Sequence, residues 1–405
     1  MLPLEGCRVL EWTVYQQGPV AGLMLADLGA EVIKMEPPGQ GDFSRVVGGW
    51  MGLPTALPGG KSFYYEVYNY NKKGIALDLK KPQARGVVYR LVERSDVFLT
   101  NFRPGVAQRL GLDYETLARH NPRLIYAQAT GYGRQGPHAS RPAVDPTIAA
   151  RSGITASLTP RGMDPHYPAL ALVDQAGAMT LAYSVLAALL AREKTGQGLQ
   201  VDCSLFSSAL WLEALHVNTH LLLGRDLSRF DRERAVNPLA NYYRCADGRW
   251  LYLWLGESQR FWPAFCHALG LEHLEKDPRF DNPKKRAQHH KELIALLDQT
   301  FAQKPLEAWL KVLAQHPDFV FDAVQPPSQL AQDPQVVANQ FIQSFTHPTL
   351  GEIKLVAPPL KFNGDGLPVR CPAPELGQHT EEVLKGLCGY TADEVAALRQ
   401  AGVLG

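Results

Sequence analysis

The sequence lacks a substantial net charge, any block of like charges and any long uninterrupted apolar segment. Its 41 Lys and Arg residues nearly balance 40 Asp and Glu residues, which leaves a formal charge of +1. A chain so close to neutral presents no broad field to nucleic acid or to an anionic membrane, and we expect neither as a partner. An anionic ligand must therefore be bound by a few specifically placed groups.

Features of secretion and membrane insertion are also missing. The longest apolar stretch, residues 176–191, is interrupted by hydroxyl-bearing side chains and is shorter than the roughly 20 residues of a membrane span. It predicts a buried core helix. The first eight residues include Glu5 and Arg8 and have no apolar region of the signal-peptide kind. We therefore expect a cytoplasmic protein.

The six cysteines are scattered along the chain, and none forms a C-x-x-C pair. This spacing argues against a zinc site and against a disulfide framework, and it fits a reducing compartment. A glycine-rich segment, Gly131–Pro137, follows a predicted strand but precedes no helix start, so it does not predict a dinucleotide site. No metal or nicotinamide cofactor is expected.

Strand and helix patterns alternate over the first 130 residues. The predicted strands are apolar runs at residues 8–12, 31–35, 74–79, 96–100 and 123–127. Helices are predicted from about Val20 to Leu28, after a Gly18-Pro19 turn, and from Pro82 to Arg94. Apolar strands that alternate with helices indicate an α/β fold with a doubly wound parallel sheet.

At 405 residues, the chain is long enough for two domains. Mixed charges and an isolated strand pair near residues 249–255 set the middle of the chain apart. We predict a smaller α+β domain at 216–324 and a large α/β domain at 1–215 and 325–405.

Asp174 is the candidate for chemistry, because it stands close to the start of the long apolar helix. An aspartate there has two interpretations. It can be an N-cap, which pairs with an unbonded N–H group. It can also be a reactive carboxylate, which the helix terminus keeps ionised. Three other pairs of basic residues are predicted to lie on the surface, namely Lys72-Lys73, Lys80-Lys81 and His289-His290.

A series of ordered motifs resembles one known family. They are Leu4–Glu11 with Gly18-Pro19, Leu25–Glu36, Gly41-Asp42 with Arg45, Asn71–Leu79, Asp96-Val97 with Asn101–Gly105, Asn121–Tyr126, Lys194–Asp202 and Leu376–Thr380. They cover nearly the whole chain in order. The sequence resembles the class III coenzyme A transferases, to which α-methylacyl-CoA racemase is related.

The resemblance implies a dimer of interlocked ring-like chains, in which N- and C-terminal segments together build the parallel sheet of the large domain. It implies that Asp174 is the nucleophile and that Gln16 lies beside the reacting acyl group. It also implies a CoA site that contains Leu77, Lys80, Asn101, Phe102 and Arg109. CoA would be a substrate, carried as an acyl-CoA, and the second substrate would be a carboxylic acid.

Three departures from the family pattern stand out. Val144 occupies the place of the catalytic histidine of the racemases, which weakens a racemase or isomerase interpretation. A glycine-rich active-site loop of some members has no counterpart near Asn237–Tyr243. Pro37 stands in place of an arginine at the adenine end of the CoA site.

The aromatic segments Trp50-Met51, Phe63–Tyr65 and Tyr68–Tyr70, with Phe319 and Phe321, favour an acceptor acid larger than formate or oxalate. Packing in a core or interface explains the same residues equally well. A non-catalytic subunit of a heteromeric transferase, paired with a paralogous chain, is the alternative outside catalysis. A homodimer is the simpler expectation.

Overall fold

The computed structural model describes residues 2–167 and 170–405, and the chain folds into two compact units. The first unit comprises Met1–Leu158, Pro165–Leu227 and Gln335–Gly405. The second comprises Thr159–Asp164 and Ser228–Pro334. All residues predicted for the site belong to the first unit.

A six-stranded parallel sheet forms the centre of the first unit. Its strands are β1 (Arg8–Trp12), β2 (Glu31–Glu36), β3 (Lys72–Ala76), β4 (Val97–Thr100), β5 (Ile125–Thr130) and β6 (Leu199–Ser204). Their order across the sheet is β6-β5-β4-β1-β2-β3, and every neighbouring pair is parallel. The inner strands are apolar runs buried on both faces, which is why the sequence shows little alternation. The predicted parallel sheet is confirmed.

Helices cover the two faces of this sheet in separate layers. In the first unit they are α1 (Gln17–Asp27), α2 (Phe63–Asn69), α3 (Pro82–Val92), α4 (Val106–Leu110), α5 (Tyr114–His120), α6 (Asp145–Ser152), α7 (Ile154–Leu158), α8 (Leu172–Thr195), α9 (Leu205–Leu212) and α10 (Ala214–Leu223). Neighbouring strand residues point to opposite layers. Leu10 packs in a core with α3, whereas Val9 packs in a core with α1 and α8.

The C-terminal segment contributes helices to the first unit, and no strand of the main sheet. Its elements are α15 (Pro334–Asn339), a hairpin of β10 (Ile342–His347) and β11 (Gly351–Val356), α16 (Thr380–Gly386) and α17 (Ala392–Gln400). A single antiparallel bridge joins Leu404 to Leu77. The expectation that both ends of the chain build the sheet is therefore wrong, because all six strands come from residues 8–204.

Two predicted elements differ in detail from the structure. Helix α1 begins at Gln17, so Gly18 and Pro19 lie in its first turn, where the missing N–H of proline has no cost. Helix α8 runs for 24 residues, and only one of its faces is buried. The opposite face exposes Met179, Tyr183 and Leu190. The prediction of a buried core helix therefore holds for one face of α8 only, although α8 would also suit a membrane span by length and composition alone.

The second unit has its own hydrophobic core. Its elements are β7 (Ala240–Arg244), β8 (Trp250–Trp254), β9 (Phe321–Ala323), α11 (Ser258–Leu269), α12 (Pro283–Gln288), α13 (His290–Phe301) and α14 (Leu306–Leu313). The three strands form an antiparallel sheet in the order β7-β8-β9. Two-residue strand pairs elsewhere are Gly49–Trp50 with Leu53–Pro54, Ala56–Leu57 with Lys61–Ser62, and Lys361–Phe362 with Asp365–Gly366.

Candidate active site

The candidate site lies at the carboxyl edge of the parallel sheet, beside β1 and β4. From β1 the chain proceeds to β2 and β3 on one side, and later to β4, β5 and β6 on the other. Loops diverge at such a switch point and leave a crevice, where parallel α/β proteins bind ligands. Gln16 follows the end of β1, and Asn101 follows the end of β4.

Hydrogen bonds fix the loop that follows β1. The Val14 N–H donates to Asn101 Oδ1 at 2.9 Å, and Asn101 Nδ2 donates to the Val14 carbonyl at 2.8 Å. The Tyr15 N–H donates to Asp42 Oδ1 at 3.2 Å, and Lys34 Nζ donates to the Thr13 carbonyl at 3.1 Å. These contacts hold Tyr15 at a φ of 65°, a strained conformation that needs such support.

Gln16 lies directly after this strained residue and is 2% exposed. It occupies the N-cap position of α1, but its side chain makes no capping hydrogen bond to the helix. Its Oε1 accepts a hydrogen bond from the Tyr64 hydroxyl at 3.3 Å. Gln16 is therefore anchored on the side that faces α2.

A fully buried charge network supports the same loop. Lys34 Nζ lies 3.0 Å from Glu11 Oε1 and 3.0 Å from Asp42 Oδ2, and Lys72 Nζ lies 2.9 Å from Glu11 Oε2. All four side chains are inaccessible to solvent. The interpretation of Lys72 as a surface lysine is therefore wrong: its pairing with Glu11 allows a lysine to lie in the interior.

The two lysines of this network differ in the pKa of their ammonium groups. Burial alone would lower the pKa of Lys34, but Glu11 and Asp42 raise it above its ordinary value. Burial lowers the pKa of Lys72 to about 8 and the charge of Lys34 lowers it further, although Glu11 and, more weakly, Asp42 act to raise it. Burial alone would raise the pKa of Glu11, yet the two lysines lower it. Glu11 is thus ionised between two lysines, of which Lys34 keeps its charge to the higher pH.

Asp174 is the third residue of α8, inside its first turn. The N-cap is Ala171, which adopts a left-handed conformation with a φ of 47°. The Asp174 N–H donates to Asp145 Oδ2 at 2.8 Å. The interpretation of Asp174 as the helix cap is therefore wrong, because its carboxyl group caps nothing and its own N–H is satisfied by another carboxylate.

The expectation that the helix terminus keeps Asp174 readily ionised is also corrected. Burial, and then the nearby Asp145, raise the pKa of Asp174 to about 7. Both effects oppose the helix dipole, since each disfavours a second negative charge in a poorly hydrated place. Asp174 consequently changes its charge close to neutral pH.

Two tyrosines of α2 face this carboxyl group. Tyr64 and Tyr68 are one helical turn apart, and burial followed by the charge of Asp174 raises the pKa of each. The Trp50 ring stacks on Tyr64 with centroids 4.8 Å apart. Tyr64 therefore lies near both side chains: its hydroxyl group donates to Gln16, and its pKa is raised by the charge of Asp174. The i, i+4 spacing of Tyr64 and Tyr68 in the sequence is the signal that places both on one helix face.

Of the remaining aromatic candidates, Phe319 packs in the second unit's own core, beside Phe265 and His316. For that residue the packing interpretation is confirmed. Val144 is exposed and precedes α6.

The residues expected to bind CoA follow the carboxyl ends of β3 and β4. Lys80 and Arg109 are exposed, and Phe102 stacks on Trp12 with ring centroids 4.2 Å apart. Leu77 differs from the others because its side chain is buried in the core beneath α3. Within residues 2–167 and 170–405, no group of three or more His, Cys, Asp or Glu side chains could hold a metal ion.

Comparison with known proteins now identifies the chain's relatives. The model of the family described as "CoA-transferase family III" matches residues 4–380. The chain belongs to the family III CoA-transferases. It is 32% identical over 402 residues to (R)-2-hydroxy-4-methylpentanoate CoA-transferase of Clostridioides difficile, covering 99% of each chain. It is also 32% identical to succinyl-CoA:glutarate CoA-transferase of Mus musculus, covering all of this chain and 91% of that one.

Two solved structures share the fold. A CAIB/BAIF family protein from Brucella suis superposes with a TM-score of 0.85 at 28% identity, covering 95% of this chain and 99% of that chain. Rv3272 from Mycobacterium tuberculosis superposes with a TM-score of 0.80 at 32% identity, covering 94% and 98%. The resemblance inferred from the motifs is confirmed, and so is a CoA-transferase activity in general terms.

Proposed function

We propose that this family III CoA-transferase moves CoA from an acyl-CoA to a carboxylic acid, with Asp174 as the covalent nucleophile. One observation carries the proposal. A half-buried carboxyl group lies in the first turn of α8, close enough to Tyr64 and Tyr68 to raise their pKa values, and the Tyr64 hydroxyl donates to the Gln16 amide oxygen. A group with a pKa of about 7 is largely ionised just above neutrality, and its partial desolvation makes the carboxylate more nucleophilic.

The exchange proceeds in four attacks. An Asp174 carboxylate oxygen attacks the thioester carbonyl, and the C–S bond breaks to give a mixed anhydride and the CoA thiolate. The thiolate attacks the Asp174 carbonyl carbon, which releases the donor acid as its carboxylate. The acceptor carboxylate then attacks this enzyme thioester, forming a second anhydride and freeing the thiolate. Attack of that thiolate on the acceptor carbonyl yields the new acyl-CoA and restores the Asp174 carboxylate.

Gln16 supplies the complementary polar contact in this scheme. Because its Oε1 accepts from the Tyr64 hydroxyl, Nε2 is turned away from that ring. We assign to Nε2 a hydrogen bond to the oxyanion that forms at each tetrahedral stage. A donor fixed before the reaction stabilises that charge without reorganisation.

CoA binding is assigned to the same crevice. Lys80 and Arg109 are exposed cations suited to the phosphates, and Asn101 and Phe102 border the crevice at the end of β4. With its side chain in the core, Leu77 would contact CoA through its main chain. Tyr64 and Tyr68 favour an acceptor acid larger than formate or oxalate.

We also propose that the active form is a homodimer. Exposed apolar side chains concentrate on three successive helices of the first unit: Met179, Tyr183 and Leu190 on α8, Trp211 on α9, and Leu215, Leu221, Leu222 and Leu223 on α10. Trp211 is 81% exposed. A patch of this kind is unusual on a monomer and suits a partner chain.

A donor and acceptor screen tests the function. The protein expressed alone is incubated with acyl-CoA donors and carboxylic acids, and new thioesters are detected by mass spectrometry. Addition of hydroxylamine during turnover should trap the enzyme thioester as a hydroxamate at Asp174. Absence of transfer by the isolated chain, with activity only after a paralogous chain is added, would instead support a subunit of a heteromeric enzyme.

A further inference from the structure

The first turn of α8 depends on a side chain from α6. Asp145 is the first residue of α6 and is 5% exposed. Its Oδ2 accepts the Asp174 N–H at 2.8 Å, although the two residues are 29 positions apart. The first N–H groups of a helix have no partner within the helix, so a buried carboxylate that accepts one of them fixes the position of that turn.

Neighbouring contacts make this turn rigid on the α6 side. Ile148 and Ala149 of α6 pack with Val173 of α8, the residue immediately before Asp174. The Leu172 N–H donates to the Tyr167 hydroxyl at 3.0 Å. Two successive parts of the turn are therefore held from outside the helix, while Ala171 before it is strained at a φ of 47°.

We propose that Asp145 is a positioning residue, whose carboxylate holds the backbone of Asp174 so that the nucleophilic carboxyl group faces Gln16 and the α2 tyrosines. The proposal rests on the function proposed above for Asp174. Asp145 does not itself react with the acyl group. It acts by fixing the backbone from which the nucleophile extends, and an error of about 1 Å in such placement can cost about 100-fold in rate.

The same geometry has an electrostatic consequence. Among the described residues, the charged or titratable groups around Asp174 are Asp145 on α6, Tyr64 and Tyr68 on α2, and Tyr167, which lies beside Asp145. Neutral tyrosines add no charge, so Asp145 is the neighbour that disfavours ionisation of Asp174, after burial. Removing the Asp145 charge should therefore move the acid limb of the kcat/KM profile, which reports pKa values of the free enzyme, to lower pH.

Two substitutions separate the hydrogen bond from the charge. Asp145→Asn keeps an oxygen that can accept the Asp174 N–H, and it should retain kcat at its pH plateau within about fivefold. Asp145→Ala removes the acceptor, and its plateau kcat should fall about 100-fold with little change in KM for the acyl-CoA. In both variants the acid limb should shift below that of the wild type. Equal plateaus for Asn and Ala, or an unmoved limb, would overturn the proposal.

A matched control lies on the same helix. Thr147 caps α6 through its hydroxyl and the Val144 backbone but is exposed and does not touch Asp174. Thr147→Ala weakens the start of α6 and should leave kcat and its pH profile unchanged. Loss of kcat in Thr147→Ala equal to that in Asp145→Ala would show general loosening and contradict positioning.

Trapping with hydroxylamine keeps this inference distinct from the proposed function. If wild-type enzyme gives no hydroxamate at Asp174, the nucleophile assignment itself fails. If wild type is labelled and Asp145→Ala is labelled at the same rate, only the positioning role fails. The expected result is slower labelling in Asp145→Ala and near-normal labelling in Asp145→Asn. Circular dichroism and CoA calorimetry check folding, and Asp145→Ser replaces the alanine variant if that variant does not fold.

Discussion

At the scale of single residues, burial reverses what the sequence suggests about charge. Asp174 at the start of a helix leads one to expect a low pKa, but desolvation and Asp145 raise it to about 7. Lys72 in a Lys-Lys pair suggests the surface, but its side chain is fully buried against Glu11. Both errors share a cause, because the sequence does not show which distant carboxylates pack beside a given group.

Substitution of the nucleophile should separate chemistry from folding. Asp174→Asn should lower kcat by more than about 1,000-fold, because an amide cannot form the anhydride. The variant should be at least as stable as wild type near pH 7, since a carboxyl group with a raised pKa destabilises the fold once it ionises. Urea unfolding and a transfer assay measure both quantities.

A matched aspartate provides the control. Asp202 on β6 pairs with Arg134 at 3.1 Å on the surface, and Asp202→Asn should leave transfer unchanged. An active, well-folded Asp174→Asn enzyme would refute the covalent mechanism.

The pH dependence of wild-type turnover follows from the same pKa. The attacking form is the carboxylate, so kcat/KM should rise with pH through about 7 and level off above it. Below that value it should fall about tenfold for each pH unit. A rate profile that stays flat down to pH 5 would show that an ordinary, low-pKa carboxylate attacks or that chemistry does not limit the rate.

At the scale of elements, the sequence predicts strands well and loops poorly. The alternation of apolar runs with helices predicts the parallel sheet. A strand buried on both faces is a continuous apolar run, which can be recognised without knowing which strands lie beside it. It did not reveal that residues 63–69 form α2, whose aromatic face borders Asp174. Nor could it show that the loop after β1 is fixed by Asp42 and Lys34, since those contacts join separate elements.

The buried network under this loop should be costly to break. Lys34→Met leaves Glu11 and Asp42 without their shared cation, and the free energy of unfolding should fall by about 3–5 kcal/mol. Transfer should fall as well, because Lys34 also holds the Thr13 carbonyl. The comparison is Lys385→Met on α16, which breaks an exposed pair with Glu381 and should cost less than about 1 kcal/mol. Equal losses in urea unfolding would contradict the central role of the buried lysine.

At the scale of the whole molecule, the exposed apolar face of α8 to α10 is what most distinguishes this chain from an ordinary monomer. The family resemblance implies interlocked chains, and nothing in apolar periodicity alone could have indicated such an arrangement. Helix periodicity identifies a face without polar residues but does not say whether that face meets the same chain or another.

The interlocked homodimer that the family resemblance implies, and that we propose, predicts an unusual response to dilution. The dimer should persist in sedimentation at nanomolar concentration, because linked rings cannot separate while they remain folded. A double substitution, Leu221→Glu with Leu222→Glu, should reduce the yield of dimer during refolding without dissociating dimer that has already formed. A folded monomer in rapid exchange with dimer would contradict this prediction.

The late position of α16 and α17 has a consequence for biosynthesis. The last strand of the sheet ends at Ser204, but Val383, Leu384 and Val395 complete the core on one face of that sheet. At translation speeds of about 5–20 residues per second, roughly 10–40 s separate the emergence of these two parts from the ribosome. During that interval the nascent chain carries an uncovered apolar surface, which favours aggregation until α16 and α17 have been synthesised.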